Sequence, residues 1–228
     1  MASEESAKAG HLDVGDRLRT ARESEGLSLR ELARRLELSA SALSQIETGK
    51  SRPSVKTLYA IVSELGVSMD ELFQRPGSAA AAVPTGEGTS ISDQPSPAAI
   101  VQKAGSRPSI ELDSGVSWER LTTSHDPDVD FLFTTYEPGG ASSSNDMLVR
   151  HNGREYGIIL AGEVELTVGF ETYQLEPGDS VSFNSQEPHR LTNRSDKPTT
   201  AVWFVIGRRQ SDPRKPSFDA AASDSEEG

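Results

Sequence analysis

The chain has 228 residues, enough for one large or two small domains, and its 34% hydrophobic content with a mean hydropathy of -0.50 is low for a single compact body. It contains no cysteine, which excludes disulfides and thiolate metal sites and fits a cytoplasmic protein, and no apolar run is long enough for a signal peptide or a membrane span. The formal net charge of -12 excludes a generally basic nucleic-acid binder, although the distribution of charge matters more than its sum.

The chain begins with a small, polar stretch. Residues 1–11 are expected to form a disordered arm, and apolar spacing then predicts a first helix from about Val14 to Ser24. Residues 28–59 carry six basic side chains against three acidic ones. A local basic face on an acidic protein suggests a selective DNA binder with weak non-specific affinity.

Two short capped helices follow, with almost nothing between them. Ser28 and Glu31 have the spacing of a capping box at the start of the first, and Ser39 is positioned to cap the second. Gly49 supplies a left-handed stop and Pro53 forbids continuation. Such a pair predicts a helix-turn-helix, whose second helix usually reads the major groove of DNA.

Two further helices complete this region. Ser54 is expected to cap a fourth helix ending at Gly66, and Ser68 to start a short fifth helix that runs through Phe73. The pieces LSLRELA, SQIETGK, RPS and LGVSMDEL occur in one order without a gap. In this they resemble the five-helix DNA-binding domain of the xenobiotic-response-element (phage-repressor-like) family, here residues 12–75.

The resemblance implies DNA contacts on the third helix and its flanks, from Ser39, Ala40, Ser41, Ser44, Gln45, Lys50, Arg52 and Arg30. A carboxamide can bond adenine bidentately, which makes Gln45 the favoured base reader. Lys50, Arg52 and Arg30 are expected to hold phosphates, which gives position but no sequence information.

The family also places a structural ion pair between its first and third helices. In this chain the pair falls on Arg22 and Glu47. Glu47 is expected to orient the reading helix through Arg22, because a carboxylate facing phosphate would repel it.

Composition changes after the helices. Residues 76–99 are rich in Ala, Ser, Gly and Pro and are expected to form a flexible linker spanning roughly 25 Å, long enough for the two domains to move independently. Residues 100–207 show short alternating apolar runs that predict an all-β barrel or sandwich. Residues 208–228 read as a disordered, charged tail.

Two motifs in the β region resemble those of the cupin family, a double-stranded β-helix barrel. They are HNGREYGIILAGEVEL and LEPGDSVSFNSQEPHRLTN. The matching positions are His151, Glu155, Gly162, Pro177, Gly178, Asp179, Pro188, His189 and Asn193. Val149 stands where the family has its first histidine. A barrel behind such a helical domain resembles a class of bacterial cupin-type transcription regulators.

Besides the DNA contacts, the resemblance implies a candidate metal centre in the barrel, formed by His151, Glu155 and His189. Two imidazoles and one carboxylate with open positions suit Fe(II), and Zn, Ni and Mn are alternatives. Val149 removes one family ligand, so a metal-free pocket for an organic ligand stays open as an alternative.

The sequence therefore predicts an α + β two-domain protein, with an all-α five-helix domain followed by an all-β cupin barrel. Its predicted function is that of a homodimeric, sequence-specific DNA-binding regulator, by family analogy a repressor, which binds a double-stranded operator and a small-molecule effector or metal and is nucleoid-associated when bound. A non-haem iron enzyme resembling hydroxypropylphosphonate epoxidases is the alternative, and a barrel that only dimerises is a third. The intact reading helix favours the regulator over the enzyme.

Overall fold

The computed structural model of the chain describes residues 14–67, 69–73, 100–124, 126, 128–143 and 146–207. The expected arm, linker and tail at 1–11, 76–99 and 208–228 lie outside the described residues, as does the predicted cap Ser68. None of the helices within these ranges is both long enough and apolar enough to cross a membrane.

Four α-helices form the N-terminal domain: α1 (Val14–Ser24), α2 (Leu29–Arg35), α3 (Ala40–Glu47) and α4 (Val55–Leu65). The three predicted serine caps are confirmed, because the hydroxyls of Ser28, Ser39 and Ser54 each accept a hydrogen bond from the backbone N–H three residues later, at 3.0 to 3.1 Å. Gly66 ends α4 in the left-handed conformation, with φ of 65°.

The prediction of five α-helices was wrong for the described residues. The fifth element, Asp70–Phe73, is a single 3₁₀ turn in which Leu72 N–H donates to the Met69 carbonyl at 3.0 Å. Four residues are too few to build an α-helical ladder, and the tighter turn still buries Leu72 and Phe73. These side chains belong to the helical core, which includes the fully buried Leu18, Leu43 and Leu58.

The described residues of the C-terminal domain form nine strands: β1 (Ser109–Leu112), β2 (Val116–Arg120), β3 (Val129–Tyr136), β4 (Arg154–Ala161), β5 (Val164–Val168), β6 (Glu171–Leu175), β7 (Ser180–Asn184), β8 (His189–Thr192) and β9 (Thr199–Ile206). They form a six-stranded sheet in the order β1-β2-β3-β9-β4-β7 and a three-stranded sheet in the order β6-β5-β8. All the strand pairings are antiparallel. The all-β cupin prediction is thereby confirmed at the level of fold class.

Buried and more exposed residues alternate along the strands, so that the sheet has an inner and an outer face. In β9 every second residue from Thr199 to Val205 is buried, and in β3 the buried series runs from Asp130 to Tyr136. The Gly178–Asp179 motif is a turn between β6 and β7, in which the Asp179 carboxylate accepts from Glu176 N–H at 2.9 Å. This motif therefore closes the fold rather than contributing a ligand.

The two domains are in contact. Asp113 N–H donates to the Pro53 carbonyl at 2.9 Å, and Lys56 N–H donates to the Ser142 carbonyl at 3.3 Å. Arg52 forms an ion pair with Glu111. Linker composition predicts that the domains can move independently, and this stays a prediction. In the structure the start of α4 contacts the rim of the barrel. The linker sequence contains no information about these contacts, since they are made by residues outside it.

Candidate DNA interface and candidate metal centre

The outward face of α3 presents the predicted base-reading residues. Ser41 and Gln45 are exposed and lie one helical turn apart, while Ala40 and Ser44 are partly buried beside them. Leu43 and Ile46 occupy the opposite face and are buried in the helical core. The amphipathic pattern of α3 thus exposes a small polar surface on the side of the helix away from the core.

The predicted phosphate contacts surround this surface. Arg30 is exposed on α2, Lys50 follows α3, and Ser39 is exposed at its N-cap. Arg52 is also exposed, but its guanidinium is paired with Glu111 of the cupin domain. In the docked arrangement this cation therefore already has a barrel carboxylate as its partner.

A bidentate ion pair fixes α3 to α1. Arg22 donates through Nε to Glu47 Oε1 at 2.7 Å and through Nη2 to Oε2 at 2.9 Å. Both side chains are buried, and a third guanidinium nitrogen donates to the Leu27 carbonyl at 2.8 Å. The hydrogen bonds to Glu47 raise the pKa of Arg22, against the opposing effect of burial. Glu47 thus faces α1 rather than the DNA surface.

Gly15 is a residue of this junction that sequence reasoning missed. A Cβ atom at Gly15 would collide with the backbone carbonyls of Ile46 and Glu47 at the end of α3. Only a glycine permits this approach of the two helices. The sequence could have indicated this close contact, because a glycine in a predicted helix weakens the helix unless close packing requires it.

The three predicted metal ligands converge in the cupin domain. Glu155 is the second residue of β4, His189 begins β8, and His151 lies in the turn before β4. Nε2 of His151 is 2.9 Å from Glu155 Oε1, and Nε2 of His189 is 3.1 Å from the same oxygen. All three side chains are at most 6% exposed.

Each imidazole is held by its other nitrogen. Nδ1 of His151 lies 2.9 Å from the Asn152 carbonyl, and Nδ1 of His189 lies 2.8 Å from the Glu187 carbonyl. A carbonyl oxygen can only accept, so each Nδ1 carries the proton. In a neutral ring this leaves a lone pair on Nε2, which is the state that ligates a metal.

Trp203 orients the carboxylate. Its indole Nε1–H donates to Glu155 Oε2 at 2.6 Å, which leaves Oε1 to face the two histidines. The indole packs directly over Gly157, where any Cβ atom would collide with its ring. Sequence reasoning missed this bond of Trp203 to the site.

The contact between His151 Nε2 and Glu155 Oε1 lacks hydrogen-bond geometry. Among the described residues neither atom has a hydrogen-bond partner, although both are buried. Metal–ligand bonds of about 2.1 Å at right angles place neighbouring ligand atoms about 3 Å apart. The 2.9 and 3.1 Å separations match that spacing, so the donor set fits a metal ion.

The electrostatics favour a charged carboxylate. Burial alone raises the pKa of Glu155, but when the two imidazole Nε2 atoms beside it are protonated, their hydrogen bonds and positive charge outweigh burial and hold the pKa below its usual range. A negative charge therefore remains at the centre of the three ligands over the physiological pH range.

Residues from both domains enclose the space beside these ligands. Val149 is buried at its edge and its N–H bonds to the His189 carbonyl at 2.7 Å, so methyl groups occupy the position of the family's first histidine. Tyr59 of α4 covers the space, with its ring centroid 4.5 Å from that of His151 and 5.4 Å from that of Trp118. Tyr59 was not singled out in the sequence, because a tyrosine among the apolar residues of α4 is typical of a core position.

Comparison with known proteins identifies two family models in this chain. A "Helix-turn-helix" model matches residues 18–72 and a "Cupin domain" model matches residues 132–205. The HTH-type transcriptional regulator PuuR of Escherichia coli is 31% identical over 187 residues, which span 81% of this chain and 89% of that protein. The regulator DdrOP3 of Deinococcus deserti is 34% identical over 59 residues, or 26% of this chain and 46% of its own.

A solved structure shares the arrangement of the whole fold. It is an HTH_3 family transcriptional regulator from Vibrio cholerae, with a TM-score of 0.58 and 20% identity. The match covers 86% of this chain and 96% of that one. At this identity the likeness concerns the fold alone.

Proposed function

The chain belongs to the family of helix-turn-helix transcriptional regulators that carry a cupin domain, and we propose that it acts as a homodimeric repressor whose cupin domain senses a ligand at His151, Glu155 and His189. The observation that carries the sensor assignment is the convergence of three buried ligand atoms within 4.8 Å of one another. We assign the site no catalytic role, since the relatives named above are regulators.

A divalent first-row ion is the proposed resident of this site. His151 and His189 would bind it through Nε2 and Glu155 through Oε1, a donor set that suits Fe(II), Zn, Ni or Mn. Such an ion supplies open coordination positions for an oxygen or nitrogen donor of an effector. The alternative to a bound ion is a proton on each imidazole Nε2, which would make the short distances to Glu155 Oε1 favourable. The pocket would then be free of metal and available to an organic ligand.

Operator recognition is proposed to use the outward face of α3. Gln45 and Ser41 are the exposed side chains of its first two turns, and Ser44 and Ala40 flank them. A single domain of this size reads few base pairs, so two copies on a two-fold-related site are expected. Lys50, Arg30 and Arg52 would hold the backbone on either side.

The proposed dimer contact is the outer face of the six-stranded sheet. The exposed sides of the adjacent strands β3, β9 and β4 carry Phe131, Phe133, Val202, Phe204, Ile206, Tyr156, Ile158 and Leu160. The outer face of an antiparallel sheet is ordinarily polar, whereas Tyr156 and Ile158 are each 40% exposed here. A contiguous apolar face of this kind is self-complementary about a two-fold axis, which suits a second copy of the chain.

The test begins with selection of the operator from random DNA by the purified full chain. Operator affinity is then measured for protein stripped with a chelator and for the same protein reloaded with Fe(II), Zn, Ni or Mn. A sensor should bind the selected site in both states, with an affinity that changes on loading. Absence of any specific site at moderate salt would contradict the proposal.

A further inference from the structure

Tyr59 belongs to the DNA-binding domain but lies in the cupin site. Its side chain is 8% exposed, and its ring contacts His151 and Trp118 of the barrel. Val55, one turn earlier on α4, lines the same cavity and is also buried. The roof of the candidate sensor site is therefore part of the domain that reads DNA.

The cavity beneath Tyr59 is small. Its volume is about 20 Å³, and its walls include Trp118, Thr134, Glu155 and Trp203. A space of this size holds about one water molecule or one metal ion. An organic ligand that contacts Glu155 or a metal beside it requires the volume that the Tyr59 ring now fills.

The contacts that dock the helical domain lie close to Tyr59 in the chain. They include polar contacts of Arg52, Pro53 and Lys56, at the entry to α4 and in its first turn. Two are single backbone hydrogen bonds, and the ion pair of Arg52 with Glu111 is about half-exposed on both sides and so contributes little stability. Displacement of α4 by a ligand would break these contacts together, because they lie at one helix entry.

We propose that Tyr59 is a plug whose insertion into the cupin cavity docks the DNA-binding domain, so that docking and occupancy by an organic ligand exclude each other. This inference rests on the proposed function in placing the ligand at His151, Glu155 and His189. A metal ion alone fits beneath the plug and leaves the domain docked. Ligand entry releases the domain and frees Arg52 from Glu111 for a phosphate.

The test measures docking directly and needs neither DNA nor an identified ligand. The chain has no cysteine, so Arg52→Cys with Glu111→Cys gives one thiol pair across the interface. The closure rate, at which a short bifunctional, thiol-reactive crosslinker joins the two cysteines, then reports how often the domain is docked. In this background Thr134→Phe fills the cavity from β3 in place of a ligand. Leu132→Trp does the same from the same face of β3, two residues earlier in the strand.

Both filling variants should close at least ten times more slowly than the background. Thr135→Phe is the matched control, because Thr135 is the neighbour of Thr134 on the outer side of β3, and closure should be unchanged. Tyr59→Ala alone should also slow closure, because it removes the ring that docks the domain. Adding a filling substitution to Tyr59→Ala should then cause no further loss, since removal of the ring makes room for the new side chain.

Closure at the background rate in a folded filling variant would overturn the proposal. So would a filling substitution that slows closure by the same factor in the Tyr59→Ala background, because its effect would then not depend on the ring. Failure of the proposed sensor function is a separate result, visible as operator binding that does not change on metal loading while closure still depends on Tyr59.

Discussion

Trp203 donates its indole hydrogen to Oε2 of Glu155 at 2.6 Å, and this bond sets which carboxylate oxygen faces the two histidines. The residues are 48 positions apart in sequence and meet because β9 and β4 are paired, with Trp203 opposite Gly157. The supporting shell of the candidate metal centre is therefore built by the central strand of the barrel.

The first prediction concerns this supporting bond. Trp203→Phe keeps an aromatic ring over Gly157 but removes the donor, so the carboxylate loses its orientation. We expect metal affinity to fall about 10- to 100-fold, the usual effect of removing an outer partner of a ligand. The measurement is competition with a metal-sensitive dye. Phe204→Leu, on the outer face of the same strand, is the control and should bind metal as the wild type does.

The second prediction concerns the anchor of the reading helix. Glu47→Ala leaves Arg22 buried without its carboxylate and should lower the free energy of unfolding by about 3 kcal/mol, measured by urea denaturation of the full chain. Arg19→Ala removes an exposed pair with Glu23 and should change stability little. An equal effect of the two substitutions would show that the Arg22–Glu47 pair has no special role.

The third prediction separates base reading from phosphate contact. Gln45→Ala should cost about 1–3 kcal/mol of binding free energy at one operator position and relax specificity there. Lys50→Ala should weaken all sequences alike and reduce the salt dependence of binding. Both are measured by titrating the selected operator and its single-base variants at several salt concentrations. If Gln45→Ala weakened every sequence equally, the base-reading role would be wrong.

Local signals in the sequence were sufficient to predict where the helices α2, α3 and α4 begin. Ser28, Ser39 and Ser54 each precede an apolar periodic run, and a capping hydroxyl needs only the next three residues to act. The prediction of a fifth α-helix was wrong because burial in the core, rather than a local signal, determines the conformation of this segment. Its last residues, Leu72 and Phe73, are placed by burial in the core, and four residues can satisfy this in a 3₁₀ turn.

The candidate metal centre was predictable only in part. His151 and Glu155 are close in sequence, and His189 was identified through the motif it shares with the cupin family. Trp203 and Tyr59 meet the site across long stretches of chain, and neither residue type carries a local signal for such a contact. Tyr59 in particular depends on how the two domains dock, which neither periodicity nor linker composition specifies.

The fourth prediction concerns assembly. Ile158→Glu places a charge in the middle of the outer apolar face and should convert the dimer to a monomer in sedimentation at micromolar concentration, because a carboxylate in an apolar contact loses its hydration. Tyr173→Glu changes an exposed aromatic residue on the other sheet, 50% exposed against 40% for Ile158, and should leave the dimer intact. A dimer that survives Ile158→Glu would move the contact to another surface.

The most direct test of the account is the operator response of a variant that lacks both imidazole ligands, His151→Ala with His189→Ala. The wild type should retain a near-stoichiometric first-row ion and change its affinity for the selected operator when that ion is removed. The variant should fold, dimerise and bind the operator, but retain no ion and show no change on adding metal. A wild-type chain without metal, or a variant that still responds to the ion, would contradict the assignment of the sensor site to His151, Glu155 and His189.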